Sequence, residues 1–496
     1  MQARLQKRRI AMPDEKFLPI IYVRGYAGRQ TYVEDTVNLP YYGFNLGSTQ
    51  TRTGPEGDPE FSIFESPLVR LMKDFGYTDF FARVTPDGDV EMLNDEASKY
   101  QQTGFPTKGI WIYRYYDETS NWAGSGQRET IESIADGLNS LVDFVLETTG
   151  APAVHLVAHS MGGLICRSLI QRNLRETAPQ RIAKLFTYAT PHGGIHFRKG
   201  LGAISAIRDL TGINEADTFG IRRMREFLAT PEATQDTIHR ITHFPADRVF
   251  SLIGTNHADY TVTMSRATVG PASDGLVMNK HAYVEGSRRA FVYRSHSGPL
   301  GIVNSEEGYQ NLHRFLFGDT SVRIRIENLR LASKYRDDET LRYLMIENQV
   351  LIRGEEVMMT DQREERGSSM TIGARDGEQS PITLFRTYLS RARRPDDDKR
   401  YSTFQIRLGI LPHHVRERRV ISDKHFFGER IFNDSLTVAI RDDDDRGGRL
   451  VKAAWTEIDD DMPRSGTRYE NAQNIRIPLR SKAFESGEVV LSVTDE

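Results

Sequence analysis

Residues 154–169, VHLVAHSMGGLICRSL, decide how the first two-thirds of this 496-residue chain is read. Val154 to Ala158 has the apolar pattern of a buried strand, His-Ser-Met-Gly-Gly tightens the chain, and Leu164 onward takes helical spacing. A serine at such a strand–turn–helix junction carries its hydroxyl above the carboxyl edge of a sheet. The backbone passes itself closely there, so small residues are needed two before and two after the serine. Ala158 and Gly162 stand at those positions, with Gly163 giving further room. The helix that follows turns the Met161 N–H toward any negative charge that develops nearby. A small-x-Ser-x-Gly match alone is common, so the reading rests on partners occurring in the right order along the chain.

The surrounding pattern supplies a framework for them. From Phe17 to Gly318 strand-like and helix-like runs alternate, which predicts a mostly parallel sheet with helices on both faces, preceded by an N-terminal extension over 1–16. FLPIIYVRG (17–25), GIWIYRYYD (109–117), KLFTYAT (184–190), RVFSLIGT (248–255) and RAFVYRS (289–295) read as strands. SPLVRLMKDFG (66–76) is predicted helical, with Ser66 as N-cap, Pro67 at the first position and Gly76 as stop. A second helical stripe ends at Gly150, and NSEEGYQNLHRFLFG (304–318) closes the unit with Asn304 or Ser305 as cap. Beyond Gly318 the period becomes two, in SVRIRIENLRL, STFQIRLGI, DSLTVAI, NIRIPL and GEVVLSV. Short alternating runs between Asp/Gly/Arg-rich turns predict an antiparallel β-sandwich over 319–496.

A serine is a weak nucleophile at neutral pH. It needs a base, a group that orients the base, and donors for an oxyanion. IIYVRGYAG (20–28) ends a strand in a glycine-bearing turn, where the Tyr26 N–H is the candidate second donor beside that of Met161. PASDGLV (271–277) follows the RVFSLIGT strand and offers Asp274 as the acid, with Leu276 and Val277 to anchor it; Asp259 in the same loop is the rival. FVYRSHSG (291–298) places His296 after the next strand as the base, against His257, His281 and His313. Ser160, Asp274 and His296 thus fall in the order Ser…Asp…His. The lone cysteine, Cys166, fits a small buried position on the helix after Ser160.

AHSMGG, ATPHGG, SDGLV and SHSG…NSEEGYQNLHRFLFG together resemble the α/β-hydrolase superfamily. They are most similar to its lipase-like serine esterase branch, which includes glycosylphosphatidylinositol-inositol deacylases and lecithin–cholesterol acyltransferase. The resemblance spans roughly Phe17 to Gly318 and does not reach the C-terminal part. It implies a Ser-His-Asp triad at Ser160, His296 and Asp274, ester hydrolysis or acyl transfer, often on lipids, and no metal or organic cofactor. Family members often carry His-Gly at the oxyanion turn, whereas this chain has Arg24-Gly25, and Ala158 stands for the commoner elbow glycine. Arg24 either orients an anionic part of a substrate or pairs with a carboxylate.

Two insertions, 31–65 and 195–245, are expected to overhang the site. Tyr41 and Tyr42 in the first line a substrate pocket or form the small core of an ordered loop. In the second, Leu201, Ile204, Ile207 and Leu210 make an apolar stripe, read either as a lid facing substrate or membrane surface or as a helix packed on the body. His192 in ATPHGG is expected near the mouth, touching substrate or forming its wall. Acidic runs at RPDDDKR, RDDDDRGG and EIDDDMP have Arg or Lys in or beside them, which fits solvated hairpin loops better than calcium sites. A formal net charge of −3 gives no global field for nucleic acid. The basic N-terminus lacks a following apolar stretch, and no run of 18 apolar residues occurs, so a cytoplasmic protein is expected, with export by a dedicated machine also compatible. The partners expected are an ester or lipid substrate and a transient membrane surface; oligomeric state is not legible.

Overall fold

Ile20–Val23 (β1) is apolar at every position, so it cannot leave either face in water. In the computed structural model it is fully buried near the middle of an eight-stranded sheet. The structure describes residues 17–495 apart from 26–29, 40–41, 43, 45–47, 54–55, 101–102, 122, 196–218, 261–268, 375–380, 395–400, 417–423, 444–447, 457–466 and 471–473. The other strands of this sheet are Thr78–Val84 (β2), Val90–Met92 (β3), Gly109–Tyr113 (β4), Val154–His159 (β5), Ile182–Tyr188 (β6), Val249–Gly254 (β7) and Arg288–Val292 (β8). Their spatial order is β8-β7-β6-β5-β1-β4-β2-β3, parallel except for the β2–β3 pair. The chain leaves β1 toward β2 and β4, then crosses to β5 on the other side. The carboxyl ends of β1 and β5 therefore flank a topological switch point, where such sheets form their crevice.

Local chemistry fixes the helices as the sequence predicts. Pro67–Phe75 (α1) begins at Ser66, whose hydroxyl accepts from the Leu68 N–H, and ends at Gly76 with φ +70°. Ile131–Thr149 (α2) buries Ile131, Ile134, Leu138, Leu141, Val142 and Val145 along one stripe. Met161–Ser168 (α3) starts at Ser160, and Glu306–Phe317 (α4) is capped by the Ser305 hydroxyl, which accepts from the Gly308 N–H. In the second insertion, the described part from Phe219 onward packs on the body. The Ser168 hydroxyl donates to the Phe227 carbonyl at 2.7 Å and Gln171 to that of Leu228 at 3.0 Å. The apolar stripe over Leu201–Leu210 lies outside the described residues. The first insertion holds a helix, Gln30–Asn38, and a hairpin of Ser48–Thr53 with Pro59–Phe64.

After α4 the chain builds two antiparallel sheets. One pairs Ile382–Leu389, Thr320–Leu331, Phe484–Asp495 and Asn474–Pro478 in that order; the other runs from Met358–Gln362 through Leu341–Ile352, Ser402–Arg416, Phe432–Asp443 and Gly448–Trp455 to Thr467–Glu470. They face each other as a sandwich. Trp455 Nε1 donates to the Pro478 carbonyl (3.0 Å) and Asn348 to that of Leu384 (3.1 Å), joining one sheet to the other. Of the acidic runs, Asp442 is described, and Arg391 and Arg394 hold it at 2.9 and 3.1 Å. Most of the three runs lies outside the described residues.

A buried histidine of the core is expected to contribute acid sensitivity to the fold. His155 on β5 is buried, and neither ring nitrogen has a hydrogen-bond partner among the described residues. Burial, reinforced by the Lys184 cation, lowers its pKa from 6.5 to about 3. The unfolded chain therefore takes up a proton that the folded chain refuses as pH falls from about 6.5 toward 3, and stability falls through that window. His155→Leu removes the proton uptake. It is expected to stabilise the fold at pH 5 by about 2 kcal/mol more than at pH 7.5, measured by denaturant unfolding at both values.

Candidate active site

The Ser160 turn is strained in the sense the sequence implies. Ser160 has φ +53° and ψ −125°, a conformation that L-residues rarely adopt. Its N–H donates to the Tyr188 carbonyl (2.9 Å), and its carbonyl accepts from the Thr190 hydroxyl (2.9 Å) and the Gly163 N–H (3.1 Å). Glycines make the crossing possible. A Cβ on Gly162 would stand 2.4 Å from the Val23 carbonyl oxygen, and one on Gly163 would meet the Thr190 hydroxyl at 2.2 Å. Gly25, at the end of β1, has the same constraint: its Cβ would lie 2.7 Å from that of Ser160. The two turns at the switch point are thus pressed against each other.

Asp274 and His296 meet Ser160 there. His296 Nε2 is 3.0 Å from Ser160 Oγ, and His296 Nδ1 is 2.8 Å from Asp274 Oδ2. All three side chains are buried, with 7% of Ser160 exposed. The other carboxylate oxygen, Asp274 Oδ1, accepts from the Leu276 and Val277 N–H groups at 3.0 and 2.8 Å. Gly275, with φ +99°, lets the chain turn back to make those bonds. The His296 N–H donates to the Asp274 carbonyl (3.0 Å), so the loops that carry base and acid are joined through their backbones. The Tyr260 ring stands edge-on to the imidazole, with centroids 5.7 Å apart.

Of the rivals, Asp259 lies on the surface and accepts from Asn256, and His313 is buried in α4 bonded to Gln310. Cys166 is fully buried, and burial pushes its thiol up, in keeping with a packing role.

Tyr42 takes the second of its two expected roles, as core of the first insertion, and His192, expected at the mouth, lies in the core. Tyr42 is fully buried and its hydroxyl accepts from the Tyr116 N–H. His192 is also fully buried, within 3.1 Å of the Thr187 hydroxyl through Nε2, and its carbonyl accepts from the buried Arg167 at 3.1 Å. Both stand in loops near the site by sequence, but tertiary packing closes over them. Arg24 donates to the Tyr42 carbonyl at 3.1 Å. Tyr26 and Tyr41 lie outside the described residues.

Three contributors escaped the sequence reading. The Tyr115 and Tyr116 hydroxyls both donate to the Gly25 carbonyl, at 3.2 and 2.6 Å, fixing the end of β1. The paired tyrosines at the end of the GIWIYRYYD strand were the available signal. His159 Nε2 lies 3.0 Å from the His296 carbonyl, and burial holds this imidazole neutral, so the nitrogen donates to that carbonyl. The third comes from the sandwich. Asn279, at the base of the acid loop, donates to the Gly367 carbonyl at 3.1 Å, while the Asn279 N–H closes the loop onto Ala272 at 3.0 Å. The Phe291 N–H on β8 donates to the Thr360 hydroxyl (3.0 Å), and Asn311 on α4 to the Met359 carbonyl (2.9 Å). Asn279→Ala is expected to lower stability by about 1 kcal/mol, read from the chemical denaturation midpoint.

A family model described as alpha/beta hydrolase fold matches residues 113–206, which run from the end of β4 through the Ser160 turn. A search of curated proteins finds no match. Matching solved structures include a putative cell surface hydrolase from Lactobacillus plantarum WCFS1, at 16% identity over 61% of this chain and 92% of that one, with a TM-score of 0.34. Phospholipase PlaB from Legionella pneumophila matches at 12% identity over 83% of this chain and 90% of that one, TM-score 0.32. Naproxen esterase from Bacillus subtilis matches at 11% identity over 61% and 85%, TM-score 0.25.

Proposed function

We propose that this chain, whose parallel sheet turns sharply at Ser160 and whose residues 113–206 match the alpha/beta hydrolase fold model, is an α/β-hydrolase that cleaves carboxylic esters through an acyl-enzyme on Ser160. The observation that carries this reading is the continuous hydrogen-bonded line from Asp274 Oδ2 through the His296 imidazole to Ser160 Oγ, at 2.8 and 3.0 Å. Asp274 has its other oxygen occupied by two backbone N–H groups, so it faces the imidazole as an acceptor. That keeps the proton on Nδ1 and leaves the Nε2 lone pair for the Ser160 hydroxyl.

The reaction then follows from those positions. Ser160 Oγ attacks the ester carbonyl carbon as Nε2 takes its proton, and the Asp274 carboxylate stabilises the imidazolium. The carbonyl oxygen gains negative charge against the Met161 N–H at the start of α3, with the Tyr26 N–H as the second donor expected from sequence. Collapse of the tetrahedral species breaks the bond to the alcohol oxygen, which receives the proton from Nε2. Water enters by the same route in reverse and releases the acid. The strained turn at Ser160 holds the hydroxyl in place before substrate arrives, so little reorganisation is needed at the moment of reaction.

Lipid esters fall within this class, and the acyl and alcohol portions are separate questions from the chemistry. The test is covalent labelling by an alkyl fluorophosphonate, with the modified peptide identified by mass spectrometry. The expected result is one adduct, on Ser160, lost in folded His296→Ala. Folded protein that takes no label, or takes it elsewhere, contradicts the reading.

A further inference from the structure

In the sandwich strand Thr320–Leu331, Val322, Ile324 and Ile326 are buried in the core, and Ser321, Arg323 and Arg325 stand on the opposite face. The residue paired with Arg323 on Ile382–Leu389 is Arg386, and the one paired with Ser321 is Tyr388. Directly opposed side chains of an antiparallel pair leave the same face about 5 Å apart, and like charges so placed repel. A third arginine reaches them from the parallel sheet. Arg288, the first residue of β8, holds its guanidinium 4.2 Å from the centre of the Tyr388 ring, and its Nη1 donates to the Ser321 hydroxyl at 3.4 Å. It therefore lies over the row of side chains next to Arg323 and Arg386, about 7 Å along the strands. All three arginines are half-buried. None makes an ion pair among the described residues, and Arg323 and Arg386 make no hydrogen bond there either. Elsewhere in the sandwich, crowded arginines are neutralised: Arg391 and Arg394 share Asp442, and Arg363 and Arg366 share Asp361. The carboxylates that act on this cluster are the exposed Asp247 and Glu327, and Glu327 already holds Arg325 and Arg476. Burial, reinforced by the Arg323 and Arg288 cations, lowers the Arg386 guanidinium from 12.5 to about 10.

We infer that Arg288, Arg323 and Arg386 form a binding site for a dianionic phosphate group, at the seam between the parallel sheet and the sandwich. Cations set opposite each other repel on their own, and a shared anion turns that arrangement into a favourable one. Charge and shape select phosphate. A phosphate monoester carries about −1.5 to −2 charge near neutral pH and three strong acceptor oxygens, enough for several guanidinium forks. A carboxylate brings one charge and two oxygens, too few for three arginines. The site is separate from the triad, because His296 lies past the far end of β8 from Arg288. An anion held there ties the sandwich to the edge of the parallel sheet and takes no part in the ester reaction.

The experiment uses the full chain and inorganic phosphate, with acetate and chloride at equal ionic strength as controls. Phosphate is expected to raise the thermal unfolding midpoint saturably, and the controls are not. Arg323→Gln and Arg386→Gln are each expected to weaken phosphate by about tenfold or more, while Arg407→Gln, at an exposed position of the sandwich, keeps the wild-type response. Phenylglyoxal labelling of the wild-type protein, read by peptide mass analysis, needs no substitution. Phosphate is expected to shield Arg323 and Arg386 and to leave Arg407 reactive. Flotation with phosphatidylcholine vesicles, with and without phosphatidic acid, identifies the source of the group. Retention by the acidic vesicles that free phosphate reverses assigns it to a lipid headgroup, and phosphate binding without retention assigns it to a soluble phosphate ester. No saturable response to phosphate, an equal response to acetate, or labelling of Arg323 and Arg386 that phosphate does not change overturns the inference.

Discussion

Ser160→Ala is expected to lower kcat/KM for any ester the protein turns over by about 10⁵-fold or more, with the fold intact. His296→Ala is expected to cost about the same, and the double substitution no more than either alone. The reason is geometric. Oγ and Nε2 stand 3.0 Å apart in a buried pair, and in the proposed reaction neither performs its step without the other. What survives in each variant is the background from the oxyanion donors and substrate binding. Steady-state kinetics on the three variants beside wild type, with circular dichroism as the folding control, measures this. Costs that add across the double variant would mean that the two residues do not act as a unit.

Asp274→Asn is expected to be nearly as damaging, about 10⁴-fold in kcat, while barely changing stability. The two N–H groups of Leu276 and Val277 point at one oxygen of the side chain, at 3.0 and 2.8 Å. In the asparagine variant that position selects the amide oxygen, so the amide nitrogen faces His296 Nδ1. An N–H donor there forces Nδ1 to accept, and the imidazole proton moves to Nε2, where it blocks uptake of the Ser160 proton. The expected signature is a loss in kcat with KM little changed. Direct observation of the imidazole N–H resonances by NMR would show whether the proton has moved; a variant that retains wild-type turnover would exclude this role for Asp274.

The sheet and its switch point were legible because their signals are local. Strands such as Ile20–Val23 are apolar on both faces, and caps at Ser66, Gly76, Gly150 and Ser305 are set within a few residues of each helix end. The chain order of Ser160, Asp274 and His296 was legible for the same reason, since each follows a recognisable strand. Leu341–Ile352 was not, because Glu347, Asn348 and Gln349 break its apolar pattern. All three are buried in the sandwich, where Asn348 reaches the Leu384 carbonyl and Gln349 reaches Asp361 at 2.8 Å. The grip of Gly367 on the acid loop also escaped notice. Its partner Asn279 is 88 residues away, and nothing in the RGSS turn marks such a contact. The burial of His192, and the choice between the two roles open to Tyr42, were not legible, because packing that their local sequence does not encode closes over both.

The proposed function depends on one step, the passage of an acyl group through Ser160. Rapid mixing of wild-type protein with a p-nitrophenyl ester, followed by acid quench and peptide mass analysis, tests it most directly. A burst of nitrophenol up to one equivalent per chain and an acyl mass increment on the peptide containing Ser160 are expected. Turnover without any acylated peptide under conditions that slow deacylation, together with undiminished turnover by Ser160→Ala, would contradict it.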